Sequence, residues 1–158
     1  MITNSKELYI FLDSLVCPEG YVRKKDTYYR DHAEFIVCYA VGKSQWGGQY
    51  GSTMGCFYKA ILKKKKEFPE FYQAHVRFSL QNFVDEGLVK RVFDLENNEF
   101  KDEEREVLMK EFVELYVIPF LNEISTVEGL RMAMDKYKDL RYSTRTSIRE
   151  ALGLPEID

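Results

Sequence analysis

Hydrophobic positions change their period twice along the chain. Near the start, Leu8, Phe11, Leu12 and Leu15 recur at helical spacing, and Asn4 stands three positions before Glu7 as a capping-box-like entry. Pro18-Glu19-Gly20 ends that helix, since proline cannot continue the hydrogen-bond ladder and glycine permits the turn.

The period then shortens to that of strands. Tyr21-Val22-Arg23-Lys24 and Thr27-Tyr28-Tyr29-Arg30 flank Lys25-Asp26, a tight-hairpin pattern. Residues 35–41 are almost continuously apolar, as a central strand buried on both faces requires. The stretch 49–62 mixes aromatic, β-branched and small residues, and Gly51 and Gly55 mark a bulge or a close backbone approach. Between them, Lys43-Ser44-Gln45-Trp46-Gly47-Gly48 falls at a hairpin end. From His75 to Leu80 the pattern alternates: Val76, Phe78 and Leu80 face one way, His75, Arg77 and Ser79 the exposed other way. Residues 83–95 are ambiguous: Val84, Leu88, Val92 and Leu95 fit a helix while Val89, Arg91 and Phe93 fit a strand, and the stretch reads as irregular or short structure.

Helical spacing returns in the last third. Asp102-Glu103-Glu104 supplies negative charge at a helix start, followed by a stripe of Leu108, Phe112 and Leu115. Pro119 predicts a kink or an end, with Phe120, Leu121 and Ile124 continuing the buried face. Ser125 and Glu128 form a second capping box ahead of Leu130, Met134 and Tyr137. A last short helix around Ile148, Ala151 and Leu152 stops at Gly153. Helix, strands, then helices define the α+β class: a single domain over 1–158, with an antiparallel meander of about four to six strands. The N-terminal helix and the C-terminal helices are expected on one face of that sheet.

Composition narrows the chemistry. The 158 residues carry 23 basic and 26 acidic side chains, a net charge of −3, which does not suit a dedicated nucleic-acid binder. The charge is uneven: residues 1–79 hold 12 basic and 8 acidic side chains, residues 80–158 hold 11 and 18. Cys17, Cys38 and Cys56 are odd in number and form no C-x-x-C pair, a pattern suited to a reducing cytoplasm. No signal peptide or membrane-spanning run is visible, so no membrane partner is expected.

Of the candidate sites, the sharpest is Lys43, Ser44, Gln45, Trp46, Gln49 and Tyr50, which joins the only tryptophan to two glutamines and a double glycine. Such a tip can serve as a recognition loop with an aromatic anchor; equally, the indole can fold back on the sheet while the glycines supply the turn. Gly42-Lys43-Ser44 echoes the end of a phosphate-binding loop, but Val37 stands where its first glycine belongs and a strand follows instead of a helix. Arg23, Arg30 and Arg77 all fall on predicted strands and could hold a carboxylate or phosphate if they share a face; pairing with internal acids competes with that. The run Lys63–Lys66, near Lys59, reads as a solvated strand end or as a site for phosphate or acidic protein, with Phe68, Phe71 and Tyr72 close by. His32 and His75 stand 43 positions apart and nothing local raises either above a turn residue and an exposed strand residue, so no metal site, cofactor or catalytic group is assigned.

The series Pro18-Glu19-Gly20-Tyr21-Val22-Arg23-Lys24-Lys25, Thr27-Tyr28-Tyr29-Arg30 and Lys43-Ser44-Gln45-Trp46-Gly47-Gly48-Gln49-Tyr50 resembles the bacterial domain-of-unknown-function family 4304 (DUF4304), over about Leu8 to Leu130. The chain departs from that pattern at Thr53-Met54-Gly55, where an Asn-Leu-Gly step is expected. The resemblance implies a small bacterial cytoplasmic protein and transfers no catalytic residue.

Three functions follow as expectations. The first is a non-enzymatic protein-binding module acting through the Trp46 turn, with a toxin-neutralising immunity role as one concrete form by analogy. The second is a small-molecule or phosphate-ligand binder, or an enzyme, using Arg23, Arg30, Arg77 and Lys43. The third is a homodimer formed through an exposed sheet face.

Overall fold

The computed structural model describes residues 2–45 and 47–156. Helix α1 (Ser5–Val16) is capped as the sequence predicts: the Asn4 side chain accepts from the Glu7 amide at 2.9 Å. A single 3₁₀ turn at Cys17–Glu19 then ends at Gly20, whose φ of 95° is left-handed.

Five strands follow as a meander, in spatial order β1-β2-β3-β4-β5, every neighbour antiparallel. They are β1 (Val22–Lys24), β2 (Thr27–Asp31), β3 (Phe35–Ala40), β4 (Thr53–Tyr58) and β5 (Val76–Ser79). The Lys24↔Thr27 pairing closes the hairpin predicted at Lys25-Asp26, and Lys25 itself takes a φ of 57°. Pairing fixes the faces, because partners across a ladder point the same way. Arg23, Tyr28, Tyr39, Met54 and Phe78 form one row on the inner face; Val22, Tyr29, Cys38, Gly55 and Arg77 form one row on the outer face.

The inner face carries the main core. Leu8 and Leu12 of α1 meet Tyr39, Met54 and Phe78 of the sheet in one cluster that reaches from Ile2 to Leu154. Its helical side is completed by α2 (Glu86–Val92), α3 (Asp102–Phe112), α4 (Ile118–Glu123), α5 (Val127–Lys136) and α6 (Thr146–Leu152). The ambiguous region 83–95 thus resolves as short structure, the seven-residue helix α2, in which Val92 is buried. Between α3 and α4, Val113–Val117 form a π turn, in which the Ile118 amide bonds to Val113 five residues back. Pro119 explains it: without an N–H it cannot bond to Leu115 in the α-helical pattern. The wider turn buries Val113 and Val117 and leaves Leu115 62% exposed, so Leu115 is not part of the predicted stripe. Helix α5 begins one residue later than its predicted box. Thr126, rather than Ser125, caps it, accepting from the Gly129 amide at 3.0 Å.

The outer face is covered by something the sequence pattern does not announce. Strand β4 stops at Tyr58, and residues 59–75 cross the outer face as a strap before β5 begins. Its Phe68 and Phe71 pack over Tyr29, Ile36, Cys38 and Phe57 as a second, smaller core. The Tyr29 hydroxyl donates to the Pro69 carbonyl at 2.7 Å, and the Lys24 ammonium lies 4.9 Å from the centre of the Phe68 ring. Gly55 lets the strap approach: a Cβ there would meet the Val76 carbonyl oxygen and come within 3.2 Å of the Phe71 ring. Lys63–Lys66 therefore sit mid-strap, not at a strand end. His75, the last residue of the strap, is itself buried, although alternation alone assigns it to an exposed face. Its Nδ1 accepts from the Tyr58 amide at 2.8 Å, and burial with the charge of Arg145 pushes its pKa from 6.5 down to about 4.

Candidate functional site

The ladder between β3 and β4 loosens beyond Ala40 but does not end there. The Gly51 amide donates to Gly42 and the Ser44 amide to Gln49, each at 2.8 Å, with a bridge between Lys43 and Tyr50. The returning limb is held from its other side as well. The Tyr50 amide donates to the Phe93 carbonyl and the Leu95 amide to the Gly48 carbonyl, both at 3.0 Å. Gln49 bridges Asp94 between these two bonds. The hairpin end is thus a short strip of sheet docked on the segment after α2. Gly48 is required by that docking, since a Cβ would lie 2.7 Å from Cγ of Glu96.

The docking segment is itself fixed by a side chain that sequence reading did not single out. Arg105, 3% exposed, donates Nη1 to the carbonyls of Val92 and Asp94 and Nη2 to that of Asn97, the last at 2.5 Å. These carbonyls lie at and just beyond the end of α2, where helical partners run out. A signal was present: Arg105, Met109 and Phe112 stand at i, i+4 and i+7, which places the arginine on the buried stripe. Guanidinium remains charged when buried, and its planar fork can reach several carbonyls at once.

On this support the predicted residues separate into two groups. Lys43 and Gln45 are exposed, and Ser44 and Gln49 are half-buried. Gln49 is tied down through its side-chain amide, which donates to the Tyr50 carbonyl at 3.1 Å. Tyr50 points inward, only 4% exposed, with its ring edge-on to Tyr9 at 6.5 Å. It belongs to the core and not to a recognition surface. Tyr9 in turn donates its hydroxyl to the Val41 carbonyl at 2.6 Å, and burial pushes its pKa up to about 12, so it stays a neutral donor. Trp46 lies outside the described residues. Exposed Glu96 adds a carboxylate to the tip that was not anticipated: its Oε2 is 3.7 Å from where a Cβ on Gly47 would sit.

The strand arginines do not come together. Arg23 lies on the inner face of β1, and Arg77 on the outer face of β5, the opposite edge of the sheet. Four strand spacings, about 19 Å, separate those edges. Arg30 faces inward at the sheet margin, its Nε 3.1 Å from where a Cβ on Gly20 would be. Lys43 sits on the hairpin end, bridged to Tyr50. One shared anion site from this set is ruled out by the pairing of the strands.

Among the described residues, no group of three or more His, Cys, Asp and Glu could hold a metal ion. The three cysteines are free, with Cys38 and Cys56 buried on opposite faces of the sheet. Burial raises the pKa of both thiols well above the usual range and leaves them unreactive. No described helix is long and apolar enough to cross a membrane.

The family model for the domain of unknown function DUF4304 matches residues 12–123. The chain belongs to the DUF4304 family. The DUF4304 match spans all five strands, the hairpin end, the strap and Arg105, and stops at the last residue of α4. No curated protein and no solved structure matches the chain.

Proposed function

We propose that this DUF4304 chain is a non-enzymatic binding module that captures another protein with the tip of its β3–β4 hairpin. One observation carries the reading: residues 48–50 are hydrogen-bonded on both sides, to the outgoing limb and to residues 93–95. A tip held this way loses little conformational freedom on binding, which favours recognition. It offers the amide of Gln45 and the ammonium of Lys43, with the Glu96 carboxylate alongside Gly47. Tryptophan is enriched among the residues that dominate interface energy. The setting we infer is a bacterial cytoplasm, in keeping with three unpaired cysteines.

The test is affinity capture from the source cytoplasm with the immobilised chain and a Lys43→Ala/Gln45→Ala variant. A partner retained by the unaltered chain, retained by a Lys136→Ala control on α5 and lost from the tip variant supports the reading. Equal retention by all three removes it.

A further inference from the structure

The strap leaves the outer face incompletely filled. It is anchored at Phe68 and Phe71, yet between Leu62 and Phe68 all five residues, Lys63 to Glu67, are exposed. Beneath that arch lies a cavity of about 490 Å³. Its apolar walls are Ile36 from β3 and Ala60 and Leu62 from the start of the strap; Lys65, Lys66 and Glu67 stand at its rim. A second hollow of about 260 Å³ shares Asp31, Ile36 and Glu67 with it and extends the trough towards the β1 edge. Volumes of this order suit a small organic ligand.

The charges are arranged asymmetrically. Lys59 is committed, with its Nζ 2.5 Å from both Asp31 Oδ1 and the His32 carbonyl oxygen. Asp31 is thereby neutralised at the wall. Lys65 and Lys66 make no ion pair with any described residue, and they stand in a run of four lysines against the single Glu67. The rim therefore carries net positive charge above an apolar floor. A bare phosphate would leave that floor wet, and a neutral hydrocarbon would leave both ammonium groups unused.

We infer that the trough beneath the strap binds a small amphipathic anion: a single carboxylate or phosphate head at Lys65 and Lys66, with a short alkyl or aryl tail against Ile36 and Leu62. The site is distinct from the hairpin tip and does not depend on the function proposed for it. It also gives the lysine run a role beyond solubility. Charge draws the head in, while removal of the tail from water supplies the larger share of affinity.

The test uses 1-anilinonaphthalene-8-sulfonate, an amphipathic anion whose fluorescence rises in apolar surroundings, with octanoate, octyl phosphate and octyltrimethylammonium as competitors. One equivalent of probe should bind the native chain, displaced by either octyl anion and not by the cation. A Lys65→Glu/Lys66→Glu variant should weaken binding by about tenfold or more. Ala60→Trp, a change at an exposed position that fills the cavity mouth, should abolish it; a thermal melt of each variant confirms that the fold is kept. Preference for one octyl anion identifies the head group. Absence of saturable binding, displacement by the cation as readily as by the anions, or full binding by both folded variants overturns the proposal. So does binding only to phosphatidylglycerol vesicles, which would make the lysines a surface for lipid and not a pocket for a free molecule.

Discussion

Arg23 on β1 donates Nε and Nη2 to the two carboxylate oxygens of Asp13 on α1, at 2.8 and 3.2 Å. The arginine that the sequence offered as an anion receptor is thus occupied by an internal anion. Its guanidinium also lies 4.8 Å from the centre of the Tyr9 ring and bonds to the Lys25 carbonyl. Asp13 accepts in addition from the hydroxyl of Tyr28, whose side chain is fully buried, at 2.7 Å. The carboxylate is the joint between the first helix and the edge of the sheet.

Asp13→Ala should therefore cost more than a surface ion pair. It leaves a buried phenol without its acceptor and a half-buried guanidinium without its partner, a loss of about 2 kcal/mol. For a chain of this size the melting temperature should fall by about 4–8 °C. Added salt should narrow the difference only in part, because it screens the half-buried Arg23–Asp13 pair and not the Tyr28 bond. A calorimetric scan of both proteins at low and high salt checks this.

Arg105 should be the most sensitive charged residue of the chain. Arg105→Lys keeps the charge but cannot reach three carbonyls in one plane, so it should destabilise almost as much as Arg105→Met, by about 3 kcal/mol. Amide exchange should quicken first at Tyr50 and Leu95, whose bonds join the hairpin end to the segment that Arg105 holds. Urea unfolding with exchange measured by NMR reads both effects, and a variant that leaves Tyr50 and Leu95 as protected as before would break the link.

His75 sets an acid limit. Its folded pKa of about 4 lies below its ordinary 6.5, so the unfolded chain binds more protons between those values. The contribution is complete above pH 6.5 and is lost as pH falls towards 4, reaching roughly 3 kcal/mol. The cause is visible: the imidazole is buried and close to the charge of Arg145, and protonation would also put a hydrogen on Nδ1, where the Tyr58 amide already donates. His75→Asn retains an acceptor without a titrating group and should flatten the decline of unfolding free energy between pH 6.5 and 4. An unchanged slope would assign it to other groups.

Much of the scaffold could be read directly. The Asn4 cap, the Lys25-Asp26 hairpin, the apolar β3 and the stop at Gly153 each rest on local physics, in which a few adjacent residues determine the outcome. What could not be read depends on residues far apart in sequence. Residues 59–75 have no periodicity because they are not regular structure; only contact with Tyr29 and Phe57 makes a cover of them. His75 ends that segment and precedes β5, where it meets Tyr58 and Arg145, which is why strand alternation misplaced it. At the site, the turn was legible from Gly47-Gly48, but the inward turn of Tyr50 and the approach of Glu96 follow from docking on residues 93–95, which only the folded chain brings near.

The claim with most resting on it is that the hairpin tip is held ready for a partner and is not itself a structural plug. Titration calorimetry of the captured partner against the unaltered chain and Trp46→Ala, with a melt of each, addresses it most directly. The account predicts a dissociation constant weakened by about thirtyfold, as for an interface anchor, with a melting temperature shifted by no more than about 2 °C. Affinity unchanged within about twofold, or a melting transition that collapses with the indole removed, would contradict it.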